Sequence, residues 1–295
     1  MSAAYALAGE NGRLVLAVPS KGRMAQPALE LCAAAGLRFE AGERALHVPC
    51  ANAPVDLLLV RPHDIPEYVQ DGAVHAGITG ANLVAEAEAD VATLAGLGFA
   101  RCTLEAAVPA GAPQHNLADL AGLRVATAYP RSTRFALAAA GVKAELVTVS
   151  GSVEAAPRLG LSDAIADLVS TGSTASANGL RRIGRLLESE AVLIAGYDSL
   201  ERRRDAIERL ELMLRGVVAA RRRRYVMMNA PETALAEIRT VLPSMGAPSV
   251  VGLADPGQIA VHAAVDTDEI WELLPRLKDV GASSILVVPI ERLVP

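Results

Sequence analysis

The chain has 295 residues, and at roughly 150 residues per domain this length points to two domains or slightly more. Hydrophobic residues make up 52% and charged residues 21% of the chain, which excludes a disordered or fibrous protein. Aromatic residues make up only 3%, so we expect cores of Ala, Val, Leu and Ile, as in helices packed on buried parallel strands. The net charge of −5 argues against capture of polyanions by bulk attraction.

The sequence also indicates the cellular compartment of the protein. Its apolar runs fall well short of the ~20 residues that a membrane-spanning helix needs, and the first ten residues lack the basic segment of a signal peptide. Cys32, Cys50 and Cys102 are widely spaced and form no CxxC pair, which favours buried thiols in a reducing compartment over a disulfide or zinc framework. We therefore expect a cytoplasmic protein with no membrane partner.

In chain order, the first two thirds alternate strand patterns with helical patterns, which is typical of βαβ units and mostly parallel sheets. The predicted strands are 14–18, 55–60, 75–79, 104–108, 124–128, 145–149, 164–169 and 191–195. The predicted helices are 25–35, 65–70, 81–88, 131–139, 153–159 and 174–182, followed by a long one over 199–220. Gly and Pro mark the strand ends, which is where ligands bind in open α/β sheets.

The last part of the chain has a different order. The predicted elements are strand 225–229, helix 231–241, strands 249–253 and 259–265, helix 268–280 and strand 284–289. This β-α-β-β-α-β order is that of a ferredoxin-like domain. We place the boundary near residue 222 and, because the segment carries no acid–base cluster, expect it to serve regulation or assembly.

The most informative motif is a loop between the strand 164–169 and the next helix. It holds four hydroxyls around one glycine: Ser170, Thr171, Gly172, Ser173 and Thr174. Backbone N–H groups and a helix N-terminus make such a loop a phosphate cradle, and Asp167 at the strand end could accept from ribose hydroxyls. The alternative is that these residues are N-caps of the following helix. Four hydroxyls around one glycine favour the phosphate cradle over this alternative. The loop lacks GxxxxGK[ST], so a Walker-type site is not expected.

Four further strand ends carry candidate ligand groups. Lys21 and Arg23 follow the first strand and Arg61 follows the second, so these cations suit an anionic ligand, although solvated loop charges remain an equal alternative. The turn 77–80 has glycines that permit close backbone approach, or is simply a tight βα turn. Glu154 begins a predicted helix, either as a capping residue or as a contact to ribose or Mg²⁺.

Other signals point away from chemistry. The five histidines show no metal-ligand spacing, and no nucleophile–base signature is present. The arginine runs 202–204 and 221–224 have no interleaved aromatics, so we interpret them as solvated or interdomain faces and expect no nucleic-acid partner. A site without a proton-shuttling pair indicates a reaction that depends on positioning and electrostatics.

Together these motifs resemble a known family. The segments that carry the likeness are 19–24 (PSKGRM), 61–66 (RPHDIP), 77–80 (GITG), 126–130 (ATAYP), 151–157 (GSVEAAP), 163–174 (DAIADLVSTGST) and 281–289 (GASSILVVP). In this order they resemble the ATP phosphoribosyltransferases, including the C-terminal extension of the long, histidine-inhibited form. The run 163–174 is the most specific; the short glycine turns alone would mean little.

The resemblance implies a reaction and a set of roles. ATP and phosphoribosyl pyrophosphate would give N1-(5-phosphoribosyl)-ATP and pyrophosphate, with Mg²⁺ bound through substrate phosphates and Glu154 or Asp167 as candidate protein ligands. Residues 170–174 would hold the ribose 5-phosphate, with Asp167 and Glu154 toward the ribose. Lys21, Arg23 and Arg61 would meet phosphate charge without acting as acid or base. The resemblance also implies that five residues contact the nucleotide: Lys21, Arg61, Gly77, Thr79 and Gly80.

The resemblance also implies an architecture and its regulation. We expect a two-lobed catalytic part over 1–222, resembling periplasmic binding proteins, with lobe I over about 1–100 and 180–222 and lobe II over about 101–179. Residues 223–295 would form the ferredoxin-like regulatory domain. L-Histidine would bind between such domains, and the matching positions are Asn229, Met245, Ser249 and Ser284. The family further implies inhibition by AMP and a homo-oligomer, either dimer or hexamer. One departure is His75, where the family usually has an acidic residue.

Two other classes of protein compete with the enzyme. A two-lobed solute-binding protein fused to a sensing domain would leave the hydroxyl-rich loop 170–174 unexplained. A nucleic-acid binder has only the arginine runs in its favour.

Overall fold

The structure, a computed structural model, describes residues 12–40, 42, 45–169, 178–242 and 247–294. The chain divides into two compact units, one comprising the chain up to residue 211 except 34–36, and the other comprising 34–36 and 212–295. Among the described residues, no helix has both the length and the apolar character needed to cross a membrane.

The first unit contains two sheets. The first has the order β2-β3-β1-β4-β11-β5, formed by β1 (Leu14–Pro19), β2 (His47–Pro49), β3 (Val55–Val60), β4 (Ala76–Gly80), β5 (Ala92–Gly96) and β11 (Ala191–Ala195). Its helices are α1 (Ala25–Ala34), α2 (Ile65–Gln70) and α3 (Ala81–Ala87). Every residue of the central strands β1 and β4 is buried, which matches their continuous apolar sequences and a sheet covered on both faces.

The second sheet has the order β10-β6-β9-β7-β8. Its strands are β6 (Cys102–Pro109), β7 (Arg124–Thr127), β8 (Glu145–Thr148), β9 (Ala164–Val169) and β10 (Leu180–Ser189), and α4 (Pro130–Ala139) follows β7. The helices α5 (Tyr197–Arg202) and α6 (Arg204–Arg221) follow β11. The prediction of one long helix over 199–220 was therefore wrong at Arg203, which adopts a non-helical backbone and donates to the Gly12 carbonyl at 3.1 Å.

The expectation of mostly parallel sheets holds only for the pairings of β1 and β7 with their neighbours. β1 is parallel to β3 and β4, and β7 to β8 and β9, whereas the other pairings described in these two sheets are antiparallel. The antiparallel pairings of β6, β10 and β11 arise because the chain crosses between the sheets twice and returns antiparallel each time, whereas β2 and β3 are consecutive strands that pair antiparallel within the first sheet. The chain enters the second sheet at Cys102 and leaves it at Ser189, so the return to the first sheet lies about ten residues beyond the predicted position near 180.

The sequence pattern predicted a helix at the start of β10, and this prediction was wrong. The predicted helix 174–182 ends inside this strand, and the described part from Leu180 onward is extended. The strand has two register shifts against β6, at Ile183 and Leu186, and such bulges break the two-residue alternation of a strand. The apolar residues consequently recur at intervals of three, which imitates a helix. The predicted helix 153–159 is likewise only a 3-10 turn, Val153–Ala155, because Pro157 interrupts it.

The second unit confirms the predicted β-α-β-β-α-β order. It contains β12 (Arg223–Pro231), α7 (Leu235–Val241), β13 (Ser249–Gly252), β14 (Gln258–Asp266), α8 (Ile270–Asp279) and β15 (Ser283–Pro289). The antiparallel sheet has the order β13-β14-β12-β15, which is that of a ferredoxin-like domain. The inward residues of β12 and β14 form its core with Ile238 of α7 and with Leu273 and Leu277 of α8.

Candidate active site

The exposed cations of the first sheet lie at one edge. β3, β1 and β4 run parallel and adjacent, so their carboxyl ends meet at the same edge of the sheet. Lys21 and Arg23 lie in the loop after β1, Arg61 follows β3, and all three are exposed. The Ser20 N–H donates to the Val60 carbonyl at 2.8 Å, which ties the two loops together. The structure therefore places the three predicted cations together at one edge.

The turn after β4 is built for packing. Gly77 and Gly80 are buried, and a Cβ on Gly77 would lie 2.4 Å from the Ile65 side chain of α2. The Thr79 hydroxyl is fully buried and donates to the Pro62 carbonyl at 2.9 Å. Thr79 thus links β4 to the segment after Arg61. The close approach that Gly77 permits is that of helix α2, and Gly80 immediately precedes the N-terminus of α3.

Asp167 and Glu154 form the acidic part of the second sheet. Asp167 lies near the carboxyl end of β9, half-buried, and its Oδ1 accepts from the Leu168 N–H at 2.8 Å. Burial raises the pKa of the Asp167 carboxyl, the backbone hydrogen bond opposes this shift, and the nearby Glu154 carboxylate raises the pKa further. Two neighbouring carboxylates at a strand end are suited to hydroxyl groups or to a hard cation.

The predicted phosphate loop begins directly after β9. Residues 170–174 lie outside the described residues, so the structure does not describe Ser170, Thr171, Gly172, Ser173 or Thr174. β9 ends at Val169, two residues beyond Asp167. Asp167 therefore lies close to the last described residue of this strand.

Tyr129 is a candidate site residue that sequence reasoning did not single out. It lies between β7 and α4, and its N–H donates to the Thr127 hydroxyl at 3.0 Å. Burial raises the pKa of the Tyr129 hydroxyl; the charge of Asp167 adds to the shift, and Arg23 opposes it. The charges of Asp167 on β9 and of Arg23 in the loop after β1 therefore both act on this hydroxyl, with opposite signs. The available signal was its place in the segment 126–130.

A cavity of about 770 Å³ lies where the chain crosses between the two sheets. Its described lining consists of Ala81, Arg101, Cys102, Thr103, Glu105, Val169, Arg182, Arg185, Glu188, Ser189 and Glu190. The three arginines each pair with a glutamate: Arg101 with Glu190, Arg182 with Glu105 and Arg185 with Glu188. The charge of this wall is balanced, so the cations at the edge of the first sheet are the better candidates for phosphate.

Glu105 connects this cavity to Asp167. The two residues are directly opposite on the antiparallel strands β6 and β9, so their side chains share one face of the sheet. The buried Glu105 carboxylate accepts from the Thr103 hydroxyl at 2.8 Å and from Arg182 at 3.2 Å. Sequence reasoning missed Arg182 because β10 resembles a helix.

His75 is buried and stabilises the fold through a backbone hydrogen bond. It is 5% exposed, and its Nδ1 accepts from the Val15 N–H at 2.8 Å. Val15 lies near the beginning of β1, whereas the candidate site is at the strands' carboxyl ends. His75, where the resemblance implies an acid, therefore secures the far edge of the sheet.

Comparisons with known proteins identify the family of this chain. The family model described as ATP phosphoribosyltransferase matches residues 61–216, and that of the HisG C-terminal domain matches residues 220–292. An ATP phosphoribosyltransferase of Maricaulis maris is 45% identical over 96% of this chain and 99% of its own length. That of Methanocella arvoryzae is 41% identical over 95% and 99%. This chain belongs to the ATP phosphoribosyltransferase family.

A solved structure agrees with this family assignment. It is the ATP phosphoribosyl transferase (HisG:HisZ) complex from Thermotoga maritima, with a TM-score of 0.61 and 25% identity, covering 70% of this chain and 98% of that chain. ATP phosphoribosyltransferases are pentosyltransferases of histidine biosynthesis. The resemblance inferred from the motifs is confirmed, and so are the α/β fold class and the presence of the C-terminal domain.

In the C-terminal domain, the predicted histidine positions lie on or beside the sheet. Asn229 on β12 is opposite Ala260 of β14 on one side and Ser283 of β15 on the other. Ser249, exposed on β13, is opposite His262 of β14. Ser284 is exposed, with a left-handed backbone (φ +49°) beside the register shift of β15. Met245 lies outside the described residues.

The three cysteines are buried free thiols, as expected. Burial raises the pKa of Cys32 to about 12 and that of Cys50 to about 11, so both are protonated near neutral pH. Within the described ranges, no group of three or more His, Cys, Asp or Glu side chains is arranged to hold a metal ion.

Proposed function

We propose that this chain transfers the 5-phosphoribosyl group of phosphoribosyl pyrophosphate to N1 of the adenine of ATP, with release of pyrophosphate. The observation that carries the proposal is the presence, in one compact unit, of two sets of groups: exposed cations at the carboxyl ends of β1 and β3 in the first sheet, and Asp167 with Glu154 near the carboxyl end of β9 in the second. Burial and the charge of Asp167 raise the pKa of the Tyr129 hydroxyl and Arg23 lowers it, so Tyr129 is a further candidate for this site.

The reaction requires alignment and charge more than proton transfer. The lone pair of adenine N1 attacks the ribose C1′ as the bond to pyrophosphate breaks, and that bond's electron pair leaves with pyrophosphate. The nucleophile needs no strong base and the leaving group needs cations. In our proposal Lys21, Arg23 and Arg61 bind phosphate oxygens, while Gly77, Thr79 and Gly80 shape the nucleotide side without acting as acid or base.

Asp167 and Glu154 would bind the ribose. Burial and the neighbouring charge raise the pKa of Asp167, so the pair gains from a ligand that donates hydrogen bonds or brings positive charge. Residues 170–174 would hold the 5-phosphate through backbone N–H groups and hydroxyls.

The same two carboxylates fit Mg²⁺. Oxygen donors suit this ion, which commonly binds one or two carboxylates together with substrate phosphates. When bound, Mg²⁺ would neutralise the charge of the pyrophosphate leaving group. Glu154 and Asp167 are the residues of this chain that would hold it.

Regulation and assembly form the remaining part of the proposal. L-Histidine would bind at Asn229, Met245, Ser249 and Ser284 of the C-terminal domain, and AMP would inhibit as a nucleotide. We further propose a homo-oligomer, a dimer or hexamer, located in the cytoplasm. The match of the C-terminal domain model to residues 220–292 supports the histidine-inhibited long form.

Asp167→Asn tests the proposal. Protein, ATP, Mg²⁺ and phosphoribosyl pyrophosphate are mixed, and pyrophosphate release and the ultraviolet absorbance of the adduct are followed. We expect turnover by the unaltered protein and a fall in kcat/KM of about 100-fold or more in Asp167→Asn, because a group aligned with the ribose is lost. Asp163→Asn, before the opposite end of β9, is the matched control and should retain activity.

The outcomes separate the alternatives. Tight binding of a small anion without turnover would favour a solute-binding protein and contradict the enzyme. Turnover that survives Asp167→Asn unchanged would remove Asp167 from the site.

A further inference from the structure

Helices α3 and α4 meet end to end, although α3 follows a strand of the first sheet and α4 follows a strand of the second. The C-terminus of α3 faces the N-terminus of α4, and Glu86 and Arg131 make the contacts. We call this pair of residues the α3–α4 interlock.

Glu86 caps α4. Its Oε1 accepts from the Arg131 N–H at 3.0 Å, and its Oε2 accepts from the Ser132 N–H at 2.9 Å. These two N–H groups belong to the first turn of α4, where helical N–H groups have no partner within the helix. The N-cap residue of α4, Tyr129, makes no side-chain cap. The carboxylate therefore supplies from the first sheet the cap that α4 lacks, and it is favoured there by the helix dipole.

Arg131 caps α3 in return. Its guanidinium Nη1 donates to the Glu86 carbonyl at 3.3 Å and to the Ala87 carbonyl at 3.0 Å, where a helix C-terminus leaves its carbonyls unpaired. The ion pair of Arg131 with Glu88, at 3.6 Å, joins side chains that are 50% and 70% exposed, and solvent screens such a pair. The directional part of the interlock is thus formed by hydrogen bonds to backbone groups.

Both helices lead directly from the proposed site. α3 begins after Gly80, and at its start the Ser189 hydroxyl accepts from the Asn82 N–H at 3.0 Å while the Ala81 N–H donates to the Glu190 carbonyl at 3.0 Å. This seven-residue helix is therefore fixed at both ends. α4 begins directly after Tyr129. The interlock therefore lies one helix length from the turn 77–80, which we call the nucleotide turn after its proposed role, and two residues from Tyr129.

We propose that Glu86 and Arg131 are positioning residues that hold the two halves of the active site in register for transfer. This inference rests on the proposed function. The nucleotide turn belongs to the first sheet and Asp167 to the second, so the distance between the two reacting atoms depends on how the sheets are held. Reacting atoms must approach to about 3–3.5 Å, and a misplacement of about 1 Å can cost about 100-fold in rate.

Glu86→Gln is the central test. Glutamine keeps the shape of the side chain but turns an NH₂ group toward one of the two N–H groups of α4, so one cap is lost. We expect kcat to fall about 10- to 100-fold, with the KM values for ATP and phosphoribosyl pyrophosphate changing less than about 3-fold, because the residue touches neither substrate. Arg131→Gln should give the same pattern, and the double variant should lose less than the product of the two single losses.

The matched controls are Glu88→Gln and Arg134→Gln. Glu88 is the exposed partner of Arg131, and Arg134 is exposed on α4, so both variants should keep the kcat of the unaltered protein. The inference is overturned if Glu86→Gln retains that kcat, or if it raises KM and leaves kcat unchanged. Absence of turnover by the unaltered protein would instead contradict the proposed function.

Hydrogen exchange tests the interlock without any substrate. The amide protons of Arg131 and Ser132 should exchange at least about 10-fold faster in Glu86→Gln than in the unaltered protein, because each loses its acceptor or has it weakened. Equal rates in both proteins would overturn the interlock itself.

Discussion

At the residue scale, Asp167 and Asp163 show how the position on one strand changes the chemistry of a carboxylate. Asp163 lies just before β9, where the Arg124 side chain and N–H both donate to it. These hydrogen bonds lower the pKa of the Asp163 carboxyl. Asp167, at the other end, has a raised pKa because it is buried and close to Glu154. One carboxylate therefore stabilises the fold and the other is maintained at a cost to it.

The two aspartates should respond to pH with opposite signs. A lowered folded-state pKa adds stability above the ordinary pKa of Asp, and this contribution is lost as the pH falls through the folded-state value. Asp163→Asn should therefore lower the urea midpoint at pH 7, and its difference from the unaltered protein should shrink below about pH 4.

A raised folded-state pKa has the reverse effect: its stabilising contribution is present at low pH and is lost as the pH rises through that value. Asp167→Asn should raise the midpoint at pH 7, and the gain should fade as the pH is lowered. Urea unfolding of both variants from pH 7 to 3.5 measures these changes. If the urea midpoint at pH 7 shifted in the same direction in both variants, the opposite pKa shifts of the two aspartates would be contradicted.

At the element scale, the packing of α2 on β4 requires a glycine at position 77. A Cβ at this position would lie 2.4 Å from the Ile65 side chain and 3.1 Å from that of Val69. Both partners are fully buried, so they have little room to move. The glycine lets a short helix lie close against the strand that ends at the nucleotide turn.

Gly77→Ala should consequently destabilise the fold by about 1–3 kcal/mol, because the added methyl overpacks this contact. Chemical denaturation measures the change. Gly111→Ala is the matched control, since a Cβ there would meet nothing within 4 Å, and it should leave the free energy of unfolding within about 0.5 kcal/mol. Equal effects of the two substitutions would show that packing on α2 is not the cause.

At the scale of the whole molecule, the proposed histidine site in the C-terminal domain is far along the chain from the proposed active site. In the sheet of this domain, Asn229 lies on β12, between β14 and β15. The sequence of this domain predicts no acid–base cluster, so we expect a regulatory site there. A ligand bound there can change activity only if it favours one state of the whole protein over another.

Asn229→Ala should weaken inhibition by L-histidine about 10-fold or more, which corresponds to about 1.4 kcal/mol of lost binding free energy. Inhibition curves and calorimetric titration with histidine measure the change. Thr240→Ala is the control: its hydroxyl donates within its own helix to the Ala236 carbonyl, so inhibition should not change. An unaltered inhibition curve for Asn229→Ala would contradict the assignment of the histidine site.

The sequence by itself determined the elements with strong local patterns. The buried strands 55–60, 164–169 and 191–195 have the predicted bounds, because each is a short, mainly apolar run of the length typical of a buried strand. The motifs of residues 61–66 and 163–174 also identified the family and placed Asp167 at a strand end.

Only the tertiary structure decided the rest, because it depends on contacts between residues distant in sequence. β10 has helical spacing and becomes a strand through pairing with β6. His75 acts on the start of β1, 60 residues away. Glu86 and Arg131 are 45 residues apart, and no local pattern marks them as partners. Length and composition indicated two domains or slightly more; tertiary pairing shows two linked sheets followed by a ferredoxin-like domain.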